Sequence, residues 1–290
     1  MTSISAKSFA KINLSLKVLK LRKDGFHDIE SVMQNISLYD ELTISEAEKD
    51  IDINCSYPLV PLDSSNICYK AALLLMNTYK IKAGIKISIN KNIPLQAGLG
   101  GGSSNAAAVL IALNNLWGLK MSSEVLIKLA STLGSDVPFF IIGGKAICSG
   151  RGEIIEKLPD DKKQNIILIK PEVSVPTKWA YQEWDKIKSQ ILSTKSQINS
   201  KSQILNKKQN NGNDLEDVVI GKYPVIAEIK DELFKAGCTS AQMTGSGSAV
   251  FGIAPNKECS LNTYASLKDK YKKTYLLETT DVGVEIDPGR

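Results

Sequence analysis

The chain has 290 residues, 43% of them hydrophobic, and a formal net charge of +5; this is enough for one large or two medium domains with real cores, and no run nears the roughly 18 apolar residues of a membrane span. Five scattered cysteines (Cys55, Cys68, Cys148, Cys238 and Cys259) form no CxxC pair, which argues for reduced thiols and against a disulfide framework or a zinc site. The N-terminus has no signal-like apolar stretch, so the expected compartment is the cytoplasm.

Residues 9–18 predict a strand: Phe9 precedes Ile12, Leu14, Leu16 and Val18 at a period of two, which sends Lys11 and Asn13 together to the opposite face. Strand character returns at 30–45 and at Ile85, Ile87 and Ile89, with a helix predicted from Ser65 to Tyr79 between them. A glycine-rich segment at 94–105 leads into a predicted helix over 106–117, a second helix at 122–132 and a third element opening at Gly134. Strands are predicted at 145–158 and 165–170, helices at 177–190 and 222–236, and a glycine turn between two strands over 241–251. Mixed strand and helix order indicates α+β architecture. The polar run at 159–163 marks an expected domain boundary, dividing the chain into 1–160 and 161–290.

The basic excess is local. Lys186, Lys188, Lys195, Lys201, Lys207 and Lys208 occur without an acid among them, leaving the rest of the chain close to neutral. This stretch repeats Lys-Ser-Gln-Ile and carries neither Arg nor aromatic residues between its lysines, so 186–212 reads as a solvated insertion and not as an RNA-binding arm.

The chemistry concentrates in Pro94-Leu95-Gln96-Ala97-Gly98-Leu99-Gly100-Gly101-Gly102-Ser103-Ser104. Glycines allow a backbone to approach a ligand closely, and a helix opening just beyond them offers free N–H groups and a positive dipole end to phosphate oxygens. No GxxxxGK[ST] pattern is present, so this is not a Walker A loop. A glycine hinge ahead of a capped helix is the bland alternative, and the serines with the alanine-rich continuation favour phosphate.

The stretch from Pro94 to Ala108 resembles the second motif of the GHMP kinases, Met243-Thr244-Gly245-Ser246-Gly247 resembles their third, and Ala10-Lys11-Ile12-Asn13-Leu14 their first. The resemblance spans nearly the whole chain, in the family's order. It implies a ribosomal protein S5-like N-terminal domain and a ferredoxin-like C-terminal domain, with ATP and Mg²⁺ as cofactors in the cleft between them. Three further blocks, Arg22-Lys23-Asp24-Gly25-Phe26-His27, Gly134-Ser135-Asp136-Val137-Pro138-Phe139-Phe140 and Asn213-Asp214-Leu215-Glu216, resemble the branch that phosphorylates a diphosphocytidyl-methylerythritol acceptor. Phe26 stands where that branch more usually has Tyr, and the lysine-rich insertion is longer than its pattern.

From this resemblance Lys11 and Asp136 are expected to be catalytic: the carboxylate takes the proton of the attacking hydroxyl and the cation steadies the charge. An Asp before Val-Pro could equally be a helix N-cap. Gly98, Leu99, Gly100, Gly101, Gly102, Ser103 and Ser104 would hold the triphosphate, with Pro94 in the same loop and Asn66, Lys91 and Leu95 toward the adenosine. Ser104 is the candidate Mg²⁺ ligand. Asn13 would orient the acceptor, Phe26 would stack on its cytosine, and His27, the one histidine of the chain, would read its edge. Tyr181 is divided between the second stacking face and plain packing.

Two alternatives stay open at this level: a GHMP kinase of mevalonate or homoserine type, and an RNA-binding protein on an S5-like domain. The favoured reading needs a small-molecule substrate and expects no nucleic acid, no membrane and no obligate protein partner.

Overall fold

Alternation carries the first two strands beyond the predicted segments, to β1 (Ser3–Leu21) and β2 (His27–Ala47). They pair antiparallel from Ser3 opposite Ser45 to Leu21 opposite His27, with register shifts at Phe9/Ala10, Asn13/Ser15 and Val18/Leu21. Such shifts re-aim side chains next to functional sites, and two of them flank Lys11 and Asn13. The protein is described from a computed structural model covering residues 3–159, 162–195 and 212–287, with the backbone alone over 190–195. Most of the lysine-rich insertion, 196–211, and the boundary residues 160–161 therefore lie outside the described residues.

The first sheet runs β11-β1-β2-β4-β3, adding β3 (Ile51–Cys55), β4 (Gly84–Asn90) and β11 (Val284–Asp287). The predicted strand at 145–158 is two strands, β5 (Lys145–Gly150) and β6 (Ile154–Lys157), because Gly150 and Gly152 turn the chain at positive φ. β5 pairs with β2 and with β6. Four helices pack on this sheet: α1 (Ile67–Tyr79), α2 (Gly101–Leu116), α3 (Ser123–Leu133) and α4 (Val137–Ile142). Helix α2 runs through the middle of their core, with Ala106, Ala107, Ala108, Val109 and Leu110 fully buried. It begins at Gly101 and not at 106, since only Gly100 takes the left-handed turn that ends the loop.

The second sheet has the order β10-β7-β9-β8, from β7 (Asn165–Ile169), β8 (Ser240–Met243), β9 (Val250–Ala254) and β10 (Thr274–Glu278). With α5 (Thr177–Lys195), α6 (Glu216–Lys222), α7 (Val225–Lys235) and α8 (Lys257–Leu267), this is the β-α-β-β-α-β plan of a ferredoxin-like unit. The helix predicted at 222–236 is α7, which opens directly after Pro224, a residue suited to a helix start because it has no N–H to satisfy; α6 ahead of it was not predicted. The α+β class expected from the sequence is the class observed.

Alternation in β7 explains how the two sheets meet. Ile167 and Ile169 face the helices, with Ala180, Val219, Ile226 and Leu233. Ile166 and Leu168 face the other way, into a core shared with Ala10, Ile12, Ile36, Ala97 and Leu99 of the first half, as a two-residue period requires. β6 is followed by β7, the first strand of the second sheet, and β11 crosses back to the first sheet to pair with β1.

Candidate active site

A cleft of about 990 Å³ opens along this shared core, lined by the glycine loop, the start of α2, the β1–β2 end of the first sheet, the start of α5 and the β8–β9 turn. Lys11, Asn13, Phe26, His27, Asp136 and Tyr181 all line it, together with Lys91, Pro94, Leu95 and the loop from Gly98 to Ser103. Asn66 and Ser104 do not.

The glycine loop is shaped by contacts that only glycine permits. Gly98 has φ +75°, and a Cβ there would stand 2.1 Å from the Thr244 carbonyl oxygen. Gly100 has φ +68°, and its Cβ would meet the Phe140 ring at 2.7 Å and the Lys11 stem at 3.2 Å. The first bond of α2 runs from the Ser104 N–H to the Gly100 carbonyl, at 2.9 Å. Gly101, Gly102 and Ser103 therefore present the unpaired N–H groups of a helix start, and all three line the cleft.

Ser104 itself points elsewhere. Its hydroxyl is fully buried and donates to the Phe9 carbonyl at 2.7 Å. It thus ties α2 to β1, and the expected role as metal ligand is withdrawn; the hydroxyl in the cleft belongs to Ser103. Asn66 is likewise occupied: it caps α1 by accepting from the Cys68 N–H at 2.8 Å, and its amide donates to the Pro61 carbonyl at 2.6 Å. An adenosine contact by that side chain is withdrawn as well. Lys91 pairs with the buried Asp40, which also accepts from the N–H groups of Asn92 and Ile93 and from Asn105. A buried carboxylate with four donors is fully satisfied, and its partner Lys91 sits against Gly101 at the head of α2.

Lys11 and Asn13 share a face of β1, as the alternation predicts, and the Lys11 ammonium donates to Asn13 Oδ1. Burial pushes the Lys11 pKa below its ordinary 10.5, while the Asp136 carboxylate and Cys148 pull it back. Asp136 opens α4, yet its side chain makes no capping bond. The simple cap reading of Asp136 therefore lacks the hydrogen bond that would define it. The charge of Asp136 also adds to burial in raising the Tyr181 phenol and in bringing the Cys148 thiol up to about 12. One carboxylate is thus felt by three neighbouring groups, two of them lining the cleft.

At the aromatic end Phe26 is 54% exposed, with the Arg151 guanidinium 5.1 Å from its ring centroid. His27 is nearly buried. Tyr181 stacks on the His27 ring at 5.4 Å and 23°.

Sequence reasoning placed the third glycine motif without seeing what holds it. Asn213 donates to the carbonyls of Met243 and Gly245 at 2.9 and 2.7 Å. Glu216 accepts from the Met243 N–H at 2.6 Å, and Asp214 from the Val18 N–H at 2.8 Å. The Asn-Asp-Leu-Glu block is a brace that fixes the turn against β1. Thr244 was missed as a site-shaping residue: its hydroxyl accepts from the Asn13 N–H at 3.0 Å and lies 3.2 and 3.3 Å from Asn13 Oδ1 and the Gly98 carbonyl.

The model of the GHMP kinases N terminal domain matches residues 66–144, and that of the GHMP kinases C terminal domain matches 192–273. The 4-diphosphocytidyl-2-C-methyl-D-erythritol kinase of Acetivibrio thermocellus is 41% identical over 96% of this chain and 100% of its own length. Among solved structures, a 4-(cytidine 5'-diphospho)-2C-methyl-D-erythritol kinase superposes with a TM-score of 0.76 at 28% identity, covering 95% of this chain and 98% of the other. A homoserine kinase from Cytophaga hutchinsonii superposes with a TM-score of 0.72 at 19% identity over 99% and 98%, which speaks for the fold alone. Identity of this order along the full chain, with both domain families in sequence order, leads to one conclusion: the chain belongs to the GHMP kinases, on the branch of the 4-diphosphocytidyl-2-C-methyl-D-erythritol kinases.

Proposed function

We infer that this chain transfers the γ-phosphoryl group of ATP to the tertiary hydroxyl at carbon 2 of 4-diphosphocytidyl-2-C-methyl-D-erythritol, giving ADP and the 2-phosphate. The observation that carries the reading is the joining of three features in one cleft: a helix start free to bind phosphate, the Lys11–Asp136 pair, and an aromatic recess with His27 at its base. The N–H groups of Gly101, Gly102 and Ser103 hold phosphate oxygens by hydrogen bonds and dipole. Asp136 takes the proton of the acceptor hydroxyl, whose oxygen attacks the γ-phosphorus as the bond to ADP breaks. Lys11, held by Asn13, offsets the negative charge that develops during transfer. Such positioning and charge stabilisation are the main demands of phosphoryl transfer.

Mg²⁺ would be held largely by the phosphates. Among the described residues no three His, Cys, Asp or Glu side chains group as a metal site. Ser103 and Asp136 are the cleft donors that fit an ion satisfied by one or two protein oxygens plus phosphates and water. Bound there it would neutralise charge on the triphosphate.

The cytosine of the acceptor rests on Phe26 and presents its edge to His27. Among the described residues no helix is long and apolar enough to cross a membrane. The test is an ADP-release assay across acceptors: the diphosphocytidyl compound, bare methylerythritol phosphate, mevalonate and homoserine. Turnover should appear with the first alone, and faster turnover with mevalonate or homoserine would overturn the acceptor assignment.

A further inference from the structure

The recess around His27 contains an acid that base reading alone does not require. Asp185 places a carboxylate oxygen 2.8 Å from His27 Nε2. On the same helix Tyr181 stacks on the imidazole, and Trp184 meets it edge-on at 5.6 Å and 85°. Positions 181, 184 and 185 are separated by three and four residues, so they form one face of α5. That face fixes the ring from its side and from its Nε2 edge at once. The other nitrogen, Nδ1, has no hydrogen-bond partner among the described residues, and His27 lines the cleft.

We propose that Asp185 selects the tautomer of His27, and through it the pyrimidine that the cleft accepts. An ionised carboxylate only accepts hydrogen bonds, so Nε2 must carry the hydrogen. In the neutral ring Nδ1 is then a bare acceptor. An acceptor at that position matches the exocyclic amine of cytosine and opposes the carbonyl oxygen that uracil carries there. Asp185 is a positioning residue: it acts on the nucleotide only through His27. The proposal rests on the cytidine reading above and adds the cause of its selectivity.

His27 is the only histidine in the sequence, so untagged protein labelled with ¹⁵N-histidine gives one imidazole spin system. Above the titration of the ring, wild type should show a pyrrole-type Nε2 and a pyridine-type Nδ1. Asp185→Asn can donate or accept, so either tautomer fits; the spectrum should become mixed. Asp185→Glu, which still only accepts, should restore the Nε2–H form.

In parallel, the cytidine-over-uridine ratio of kcat/KM should fall roughly 10- to 100-fold in Asp185→Asn, mainly through acceptor KM. A wild-type ring protonated on Nδ1, or an unchanged ratio in Asp185→Asn, would overturn the proposal and leave the kinase assignment standing. Equal use of cytidine and uridine acceptors by wild type would instead overturn the cytidine reading on which it rests.

Discussion

Gly98 and Thr244 meet backbone to backbone: a single added carbon on Gly98 would lie 2.1 Å from the Thr244 carbonyl oxygen, joining two motifs 146 residues apart. Gly98→Ala therefore combines an unfavourable positive φ with a clash against backbone, which cannot swing aside. Gly118→Ala isolates the first effect, since Gly118 has φ +58° with nothing within 4 Å. Gly118→Ala should lower stability by about 1 kcal/mol. Gly98→Ala should cost more and weaken ATP binding at least about tenfold, read by denaturant unfolding and calorimetric titration. Equal effects from both would mean that the loops can separate freely.

Asp136 lines the cleft and makes no capping bond, so its removal should cost function and little stability. Asp136→Asn should reduce turnover roughly 100- to 10,000-fold, the usual range for a general base, with ATP affinity and unfolding midpoint nearly unchanged. Turnover within a few-fold of wild type would show that another group takes the proton.

Lys11 should show the same trade in a stronger form. Its folded pKa is lowered by burial, so between that value and 10.5 the unfolded chain binds more protons than the native one. The contribution of this group to stability therefore rises with pH across that interval, and its cost is fully present only below the folded value. Lys11→Met removes the buried charge while keeping a similar stem. The variant should be at least as stable as wild type at pH 7 and should lose turnover by about two orders of magnitude or more. A large loss of stability would show that the interactions of the ammonium with Asn13 and Asp136 outweigh its desolvation.

Phe26 is exposed enough to accept a stacked base on its ring. Phe26→Ala should weaken acceptor binding by roughly one to two orders of magnitude, the fold-change of about 1–3 kcal/mol lost on removing a stacking partner. ATP affinity should hold. Titration of each substrate separately decides the matter, and parallel loss of both affinities would point to a collapsed cleft.

Sequence was most legible where chemistry demands one residue type. Gly98 and Gly100 could be located because no other side chain fits their contacts, and Lys11 with Asn13 because polar and apolar residues alternate from Lys11 to Lys17 in the sequence. Ser104 went astray for a reason of phase. With α2 beginning at Gly101 and not at 106, position 104 turns to β1 and its hydroxyl is used by Phe9. Asp185 carried no local signal, because its partner His27 lies 158 positions away. The return of β11 was equally hidden: four residues of weak alternation owe their place to β1. Asn213 and Glu216 were recognisable as a pattern, but their task of bracing the Met243–Gly245 turn exists only in three dimensions.

The central claim is a phosphoryl transfer to the methylerythritol carbon 2 hydroxyl within the cleft built around Lys11 and Asp136. The direct measurement is ³¹P NMR of the protein incubated with ATP, Mg²⁺ and 4-diphosphocytidyl-2-C-methyl-D-erythritol. One new phosphomonoester resonance should grow in step with ADP, with the acceptor's diphosphate intact, and Asp136→Asn should nearly abolish it. Release of ADP with inorganic phosphate alone, or cleavage of the diphosphate, would contradict the account.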